Sequence, residues 1–235
     1  MVDLSSNIMM DEVIDTSYDE AIQQIGLPWL PWVGKDYKNS NVKTLILGES
    51  VYNYRKNTEK DSSVILEREN LRRLHMNHGV TGKYKDSRYL QNFQRAALGK
   101  KSPSREQVVG LWKSVAYHNL VLKMLPSRNS RPSKNDYIQG WEKFLELSEL
   151  LKFNKCIVYG LEYRKIDALL GVLGRDSILA KKKLPAVGRN QPYTLKARHN
   201  DKEIDFLFIR HPSAFFSWKD WREVIHQTGM LPSLS

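Results

Sequence analysis

Two stretches far apart in the chain hold side chains suited to gripping a polar ligand. In Gly48-Glu49-Ser50-Val51-Tyr52-Asn53 a carboxylate, a hydroxyl, a phenol and an amide follow one another closely. In Arg210-His211-Pro212-Ser213-Ala214-Phe215 an imidazole is followed by a proline and a second hydroxyl. Each stretch comes directly after a short apolar run, 43–47 and 205–209, of the near-continuous kind that forms buried parallel strands. Open α/β sheets bind ligands in the crevice beyond the carboxyl ends of such strands. Glu49, Ser50, Tyr52, Asn53, His211 and Ser213 are therefore expected to line a polar pocket built from two strand tips.

The elements that must hold those tips can be read along the chain. Residues 18–25 have a helical pattern stopped by Gly26. In 26–34 two prolines and two glycines argue against regular structure, and Trp29 and Trp32 read as an aromatic plug over one end of the core. The first strand, 43–48, is followed by an amphipathic helix at 62–77. A helix at 105–117 has Ser104 as its cap and Gln107 three residues on, the spacing of a capping box. A strand at 118–122 leads into a loop with Arg128 and Arg131, whose guanidinium groups and neighbouring hydroxyls suit phosphate. The helix 133–151, capped by Ser133, has a wide apolar face including Tyr137, Trp141 and Phe144. Then come a strand at 155–159, a helix at 162–173 ending on Gly174, a loop and edge strand within 184–198, a strand at 204–209, and a helix at 218–227 followed by Gly229. Strands alternating with helices predict an α/β chain: a three-layer α/β/α sandwich with a mostly parallel four-stranded central sheet. One domain over 1–235 is expected, with a basic insertion at about 54–104.

Composition narrows the partner. The formal net charge is +11, with a pI near 9.6, which favours a polyanion and nucleic acid first. No apolar stretch approaches the ~20 residues that span a bilayer, and the acidic start of the chain lacks the pattern of a signal peptide. A cytoplasmic protein is expected, with no membrane partner. The single cysteine, Cys156, rules out an internal disulfide and an all-cysteine metal or iron–sulfur site within one chain. It lies in an apolar run and reads as a small core residue. His75 and His78 stand at i, i+3, but with no cysteine or acidic residue at ligand spacing they read as a solvated or DNA-facing pair rather than a metal site. The charge run 181–183 reads as a solvated surface.

Taken together, these stretches resemble the uracil-DNA glycosylase superfamily. Leu47-Gly48-Glu49-Ser50-Val51-Tyr52 looks like the superfamily's first active-site motif. The run from Asn119 through Arg128 and Arg131-Pro132, the following helix and the strand to Gly160 is similar to the middle of its iron–sulfur-containing branch. His211-Pro212-Ser213-Ala214-Phe215 is similar to the histidine-proline-serine motif that closes the site. The three occur in the family's order and cover about 27–53 and 110–226; the basic segment is not explained by them.

The resemblance implies an enzyme that flips a modified or damaged pyrimidine out of DNA and hydrolyses its N-glycosidic bond, acting in repair or in defence against modified viral DNA. Asn119 matches the asparagine that reads the pyrimidine edge, since one amide offers both a donor and an acceptor. His211 matches the histidine that donates to the pyrimidine O2 as charge builds there. Glu49 stands where the iron–sulfur branch has a glutamate, to orient water or stabilise the cationic sugar; a carboxylate merely paired with an arginine is the competing reading. Tyr52 and Asn53 fall beside the base. Phe215, or alternatively Phe216, falls where the family inserts an apolar wedge into the stack. Ser213, Arg128, Arg131 and Lys101 are assigned to DNA. Two departures stand out: Ser50 replaces the water-activating aspartate of the commonest branch, and Asn53 replaces a histidine. The cluster cysteines are absent, so no cofactor or metal is expected, and a monomer is expected. The alternative is a non-catalytic nucleic-acid-binding protein on the same fold.

Overall fold

The computed structural model describes residues 8–52, 67–81, 87–127, 129–213 and 215–233. Its largest element is a seven-stranded sheet in the order β1-β4-β2-β6-β9-β8-β7. These strands are β1 (Trp32–Val33), β2 (Thr44–Gly48), β4 (Ala116–Asn119), β6 (Lys155–Tyr159), β7 (Ile178–Lys183), β8 (Tyr193–His199) and β9 (Lys202–Ile209). The short strands β3 (Val51–Tyr52) and β5 (Met124–Leu125) pair separately, in parallel.

The four expected strands correspond to β4, β2, β6 and β9, but β4 spans Ala116–Asn119 rather than 118–122, because the helix before it ends at Ser114 and the chain already pairs with β2 from Ala116. They are contiguous, and every neighbouring pair among them is parallel. Successive residues point to opposite sides of a strand, and here both sides are buried. Leu45, Leu47, Cys156, Val158, Phe206 and Phe208 enter one core cluster. Ile46, Tyr117, Ile157, Tyr159, Leu207 and Ile209 enter the other. Burial on both faces is why these strands read as continuous rather than alternating apolar runs.

The expectation of four strands is corrected to seven, because antiparallel strands extend both edges. On one edge Trp32 and Val33 pair with Tyr117 and Ala116, despite the prolines that argued against regular structure there. Two residues suffice, and the Trp32 indole secures them by donating to the Trp112 carbonyl at 2.7 Å. On the other edge β9 turns back through Asn200, in the left-handed conformation at φ 52°, to pair with β8. That places the expected edge strand inside the sheet, and β7 forms the rim instead. Lys181, Lys182 and Lys183 are exposed on β7. A lysine-rich rim discourages edge-to-edge association, and it hides strand character behind a charge run.

The helices are α1 (Asp19–Ile25), α2 (Asn70–His75), α3 (Arg88–Leu98), α4 (Arg105–Ser114), α5 (Lys134–Leu151), α6 (Tyr163–Leu173) and α7 (Trp218–Gln227). The expected capping box of Ser104 with Gln107 forms, and Ser133 caps its helix as expected, there too with a box, through Asp136. Residues of α1, α5 and α6 join the first core cluster and those of α2, α3, α4 and α7 the second. The basic segment is not all surface. Its described part forms α2, a π-helical turn over Met76–Val80, and α3, which contribute Leu71, Met76, Val80, Leu90 and Phe93 to the core. Arg72 is fully buried, donating from Nε to the Pro31 carbonyl at 2.8 Å and pairing with Asp19. His75 is also buried, against Trp32, Trp112 and Tyr117. This corrects the expectation of a solvated or DNA-facing imidazole. The helix face carrying Leu71, His75 and Met76 turns inward, and His75 goes with it. Among the described residues, no helix is long and apolar enough to cross a membrane.

Candidate active site

The carboxyl ends of β2, β4, β6 and β9 deliver Glu49, Asn119, Gly160 and His211. The register makes two of these neighbours. Gly48 stands opposite Asn119, and the amide of Val121 donates to the Glu49 carbonyl at 2.8 Å, carrying the pairing past the strand. The Tyr117 hydroxyl donates to Asn119 Oδ1 at 3.0 Å, fixing the amide. A Cβ on residue 48 would collide with both that oxygen and the hydroxyl. Glycine is required there because a polar pair occupies the space beside the strand end.

Among the described residues Glu49 is paired with a lysine rather than an arginine. Its Oε1 lies 2.9 Å from the Nζ of Lys165 on α6 and accepts the Tyr137 hydroxyl of α5 at 3.0 Å. Lys165 is fully buried, and its ammonium also reaches the Tyr159 carbonyl at 2.6 Å and Glu162 Oε2 at 3.0 Å. All three ammonium protons therefore have acceptors. Gly160, at φ 99°, makes room: a Cβ there would collide with Lys165 Nζ and Glu162 Oε2. Burial pushes the Glu49 carboxyl up, but the Lys165 ammonium and the Lys165 and Tyr137 hydrogen bonds outweigh it, so Glu49 titrates below the ordinary value. Tyr137 is raised, by burial first and then by the Glu49 charge.

His211 lies in the same electrostatic neighbourhood. Burial, with the Lys165 charge opposing a second cation, lowers its pKa to about 4; the Glu49 and Glu162 charges act against this. It is therefore neutral at pH 7. The amide of Ser213 donates to its Nδ1 at 3.2 Å, which puts the single ring proton on Nε2. The ring packs edge-on to Tyr159 at 5.7 Å and near Tyr89 of α3 at 6.1 Å. The following turn is tied to α3 by Asn92 Nδ2, which donates to the Pro212 carbonyl at 2.7 Å. Ser50 Oγ and the Tyr159 hydroxyl are buried with no partner among the described residues, and both have unused capacity to bond a ligand.

The two phenylalanines separate cleanly. Phe216 is buried and stacks on Trp221 at 5.4 Å. Phe215 is 91% exposed and left-handed at φ 50°, an uncommon conformation for a bulky residue. It is held at a loop tip rather than in the core. Tyr52 is half-buried on β3 and close enough for its hydroxyl to raise the pKa of Tyr137.

Glu49, Asn119, Tyr52 and His211 are thus brought toward one another, with Ser50 beside Glu49 and Ser213 on the His211 loop. Lys101, in the turn before α4, and Arg131, before α5, are exposed positions. Asn53 and Arg128 lie outside the described residues. Lys165, Tyr137, Tyr117 and Tyr159 were missed by the sequence reading. A signal existed for the first: Lys165 interrupts the apolar stripe of α6 one position before Ile166 and four before Leu169. Among the described residues, no group of three or more His, Cys, Asp and Glu side chains is placed to hold a metal ion. No protein-family model matches the chain, and no curated protein matches it.

Proposed function

We propose that the protein is a monofunctional DNA glycosylase. It extrudes a modified or damaged pyrimidine, uracil or a cytosine with a bulky substituent, and hydrolyses the bond from base to sugar to leave an abasic site. The observation that carries this reading is the state of His211. It is neutral, its Nδ1 is occupied, and its Nε2–H is at a strand tip beside an ionised carboxylate.

The chemistry calls for such a pair. As the bond between the sugar C1′ and the base nitrogen breaks, the electron pair leaves with the base and the sugar becomes cationic. The Nε2–H of His211 donates to the pyrimidine O2 as negative charge develops there; a preorganised donor of this kind is worth roughly 2.7–4 kcal/mol in another enzyme class. Because His211 is neutral, it stabilises that charge without needing to give up a proton. Glu49 stabilises the cationic sugar and orients the water whose oxygen adds to C1′, and the proton that this water sheds passes to the departing pyrimidine anion. The Lys165 pairing keeps Glu49 ionised and weakly basic, so its role is electrostatic and orienting. Asn119 reads the pyrimidine edge, Tyr52 flanks the base, and Phe215 fills the gap left in the stack. The helices on both faces of the sheet fit a three-layer α/β/α arrangement, and the +11 charge favours DNA as the partner of a cytoplasmic monomer.

Ser50, a hydroxyl in place of a water-activating carboxylate, favours a second reading, a non-catalytic nucleic-acid-binding protein. One assay separates the two. Oligonucleotides carrying uracil or modified cytosines are incubated with the protein, treated with alkali and resolved on a gel. Strand breaks at the modified base are expected, and His211→Ala should lower turnover about 10²–10³-fold while leaving DNA affinity nearly unchanged. No break with any modified base, together with DNA binding that survives combined loss of Glu49, Asn119 and His211, would establish the second reading.

A further inference from the structure

Beside the loop that carries Phe215 lies a cleft of about 480 Å³, outside the Glu49–His211 group. One wall is the turn between β7 and β8, and the other is the start of α7. Its lining includes Arg189, Asn190, Arg210, Phe215, Asp220 and Trp221. The volume falls within the roughly 300–1,000 Å³ of small-molecule sites.

The cleft is built rather than incidental. Its outer turn is closed by reciprocal backbone bonds, Val187 to Asn190 at 2.9 Å and Asn190 to Val187 at 3.0 Å. Gly188, at φ 58°, lets the chain reverse and brings Arg189 to the tip. The Asn190 side chain does two jobs: its Nδ2 donates to the Val187 carbonyl at 3.1 Å, and its Oδ1 accepts Arg210 Nη1 at 2.8 Å. Arg210, the residue before His211, is thereby held with its guanidinium 5.8 Å from the centre of the Phe215 ring. Two guanidinium groups and an exposed aromatic ring around one concavity are the elements that hold a single-stranded nucleotide: cations for the phosphate and a flat face for the base. Asp220 adds an acceptor to the wall, suited to an exocyclic amine of a base.

The geometry points to this cleft as a second nucleotide subsite, taking one unpaired nucleotide of a DNA strand with its phosphate on Arg189 and Arg210 and its base against Phe215 while that ring stands outside the stack. In a glycosylase this would be a nucleotide released when a base pair opens, so the biological role rests on the proposed function; the binding site does not. The sequence offered no pointer, because Arg189 and Arg210 are 21 positions apart and meet only through the β7–β8 turn.

The test uses the full chain and a fluorescent single-stranded oligonucleotide of natural bases, which is not a substrate. Affinity is measured over a series of salt concentrations for the parent, Arg189→Ala and Ser217→Trp, the last placing a bulky ring in the cleft wall at an exposed position. Arg189→Ala should reduce the slope of log K against log salt by about 0.7, the loss of one phosphate contact on a single strand. Ser217→Trp should weaken binding about 5-fold or more, as expected when one stacked base is lost, with the slope reduced by no more than in Arg189→Ala. In addition, deoxycytidine monophosphate added to the parent should shift the amide resonances of Val187, Arg189 and Arg210, which reports the site even if a variant misfolds. Unchanged slope and affinity in both folded variants, or nucleotide-induced shifts confined to the strand tips, would overturn the subsite. A protein that forms no abasic sites yet shows all of these effects would retain the subsite and lose the glycosylase reading.

Discussion

Replacing Lys165 by methionine tests the electrostatic core of the site. The side chains are similar in length, so the change removes a charge with little loss of volume. Lys165 is fully buried, and Glu49 beside it is only 12% exposed. At their 2.9 Å separation and an effective dielectric constant of about 20, the attraction is about 6 kcal/mol. Part of that offsets the desolvation of both ions, and removing one partner of a buried pair typically costs about 3–5 kcal/mol. The sign of the pH dependence follows from Glu49. In the parent its folded pKa is depressed, so it contributes stability above the ordinary carboxylate range that is lost as pH falls through the folded value. In Lys165→Met burial acts without its counterweight, the folded pKa rises above the ordinary value, and ionised Glu49 becomes a liability that protonation relieves. Urea denaturation of both proteins between pH 7 and pH 4 reads this directly. The deficit of the variant should be about 3–5 kcal/mol at pH 7 and should shrink steadily toward pH 4. A deficit below about 1 kcal/mol, the range of exposed pairs, or one that is independent of pH would refute the reasoning.

Three further outcomes are expected. Burial lowers His75 to about 3, and His118 and His211 each to about 4; all three charge more readily in the unfolded chain, so stability should fall as pH drops from about 6.5 toward 4, and a flat profile by thermal denaturation would count against their neutral burial. Phe215→Gly should raise stability by about 1 kcal/mol by relieving a left-handed residue, since an exposed ring loses little packing, while weakening DNA binding; a lower melting temperature would show that the ring packs in solution. Gly48→Ala should cost about 1–3 kcal/mol through the collision at Asn119 and Tyr117; under the proposed function it should also lower turnover more than affinity for DNA, and unchanged turnover would remove Asn119 from the site.

Much of this arrangement was legible in the chain itself. Three of the four parallel strands announced themselves because burial on two faces demands unbroken apolar runs; β4, with His118 and Asn119 in it, was displaced by two residues. Ser104 and Ser133 marked helix starts because exposed backbone amides there need an acceptor. The polar residues just past the strands could be assigned to one end of the sheet for the same reason. The flanking strands could not. A two-residue strand carries no periodicity, and β7 is exposed along nearly its whole length on a rim of lysines, so its pairing depends on β8 being present rather than on its own residues.

The site divides in the same way. Local sequence determined that Glu49 and His211 stand at strand tips, because that follows from the apolar runs before them, whereas Asn119 reads as the second residue of a strand at 118–122 and reaches the strand end only because β4 runs over Ala116–Asn119. Only the tertiary structure decided their chemical state. Whether Glu49 is ionised depends on Lys165, which lies 116 positions away and arrives through the packing of α6 on the sheet. The Ser213 amide that sets the His211 tautomer is a local contact, but the burial that keeps the ring neutral comes from packing around it. Charge and protonation are set by what surrounds a group in three dimensions, and residue types along a chain do not record their distant neighbours.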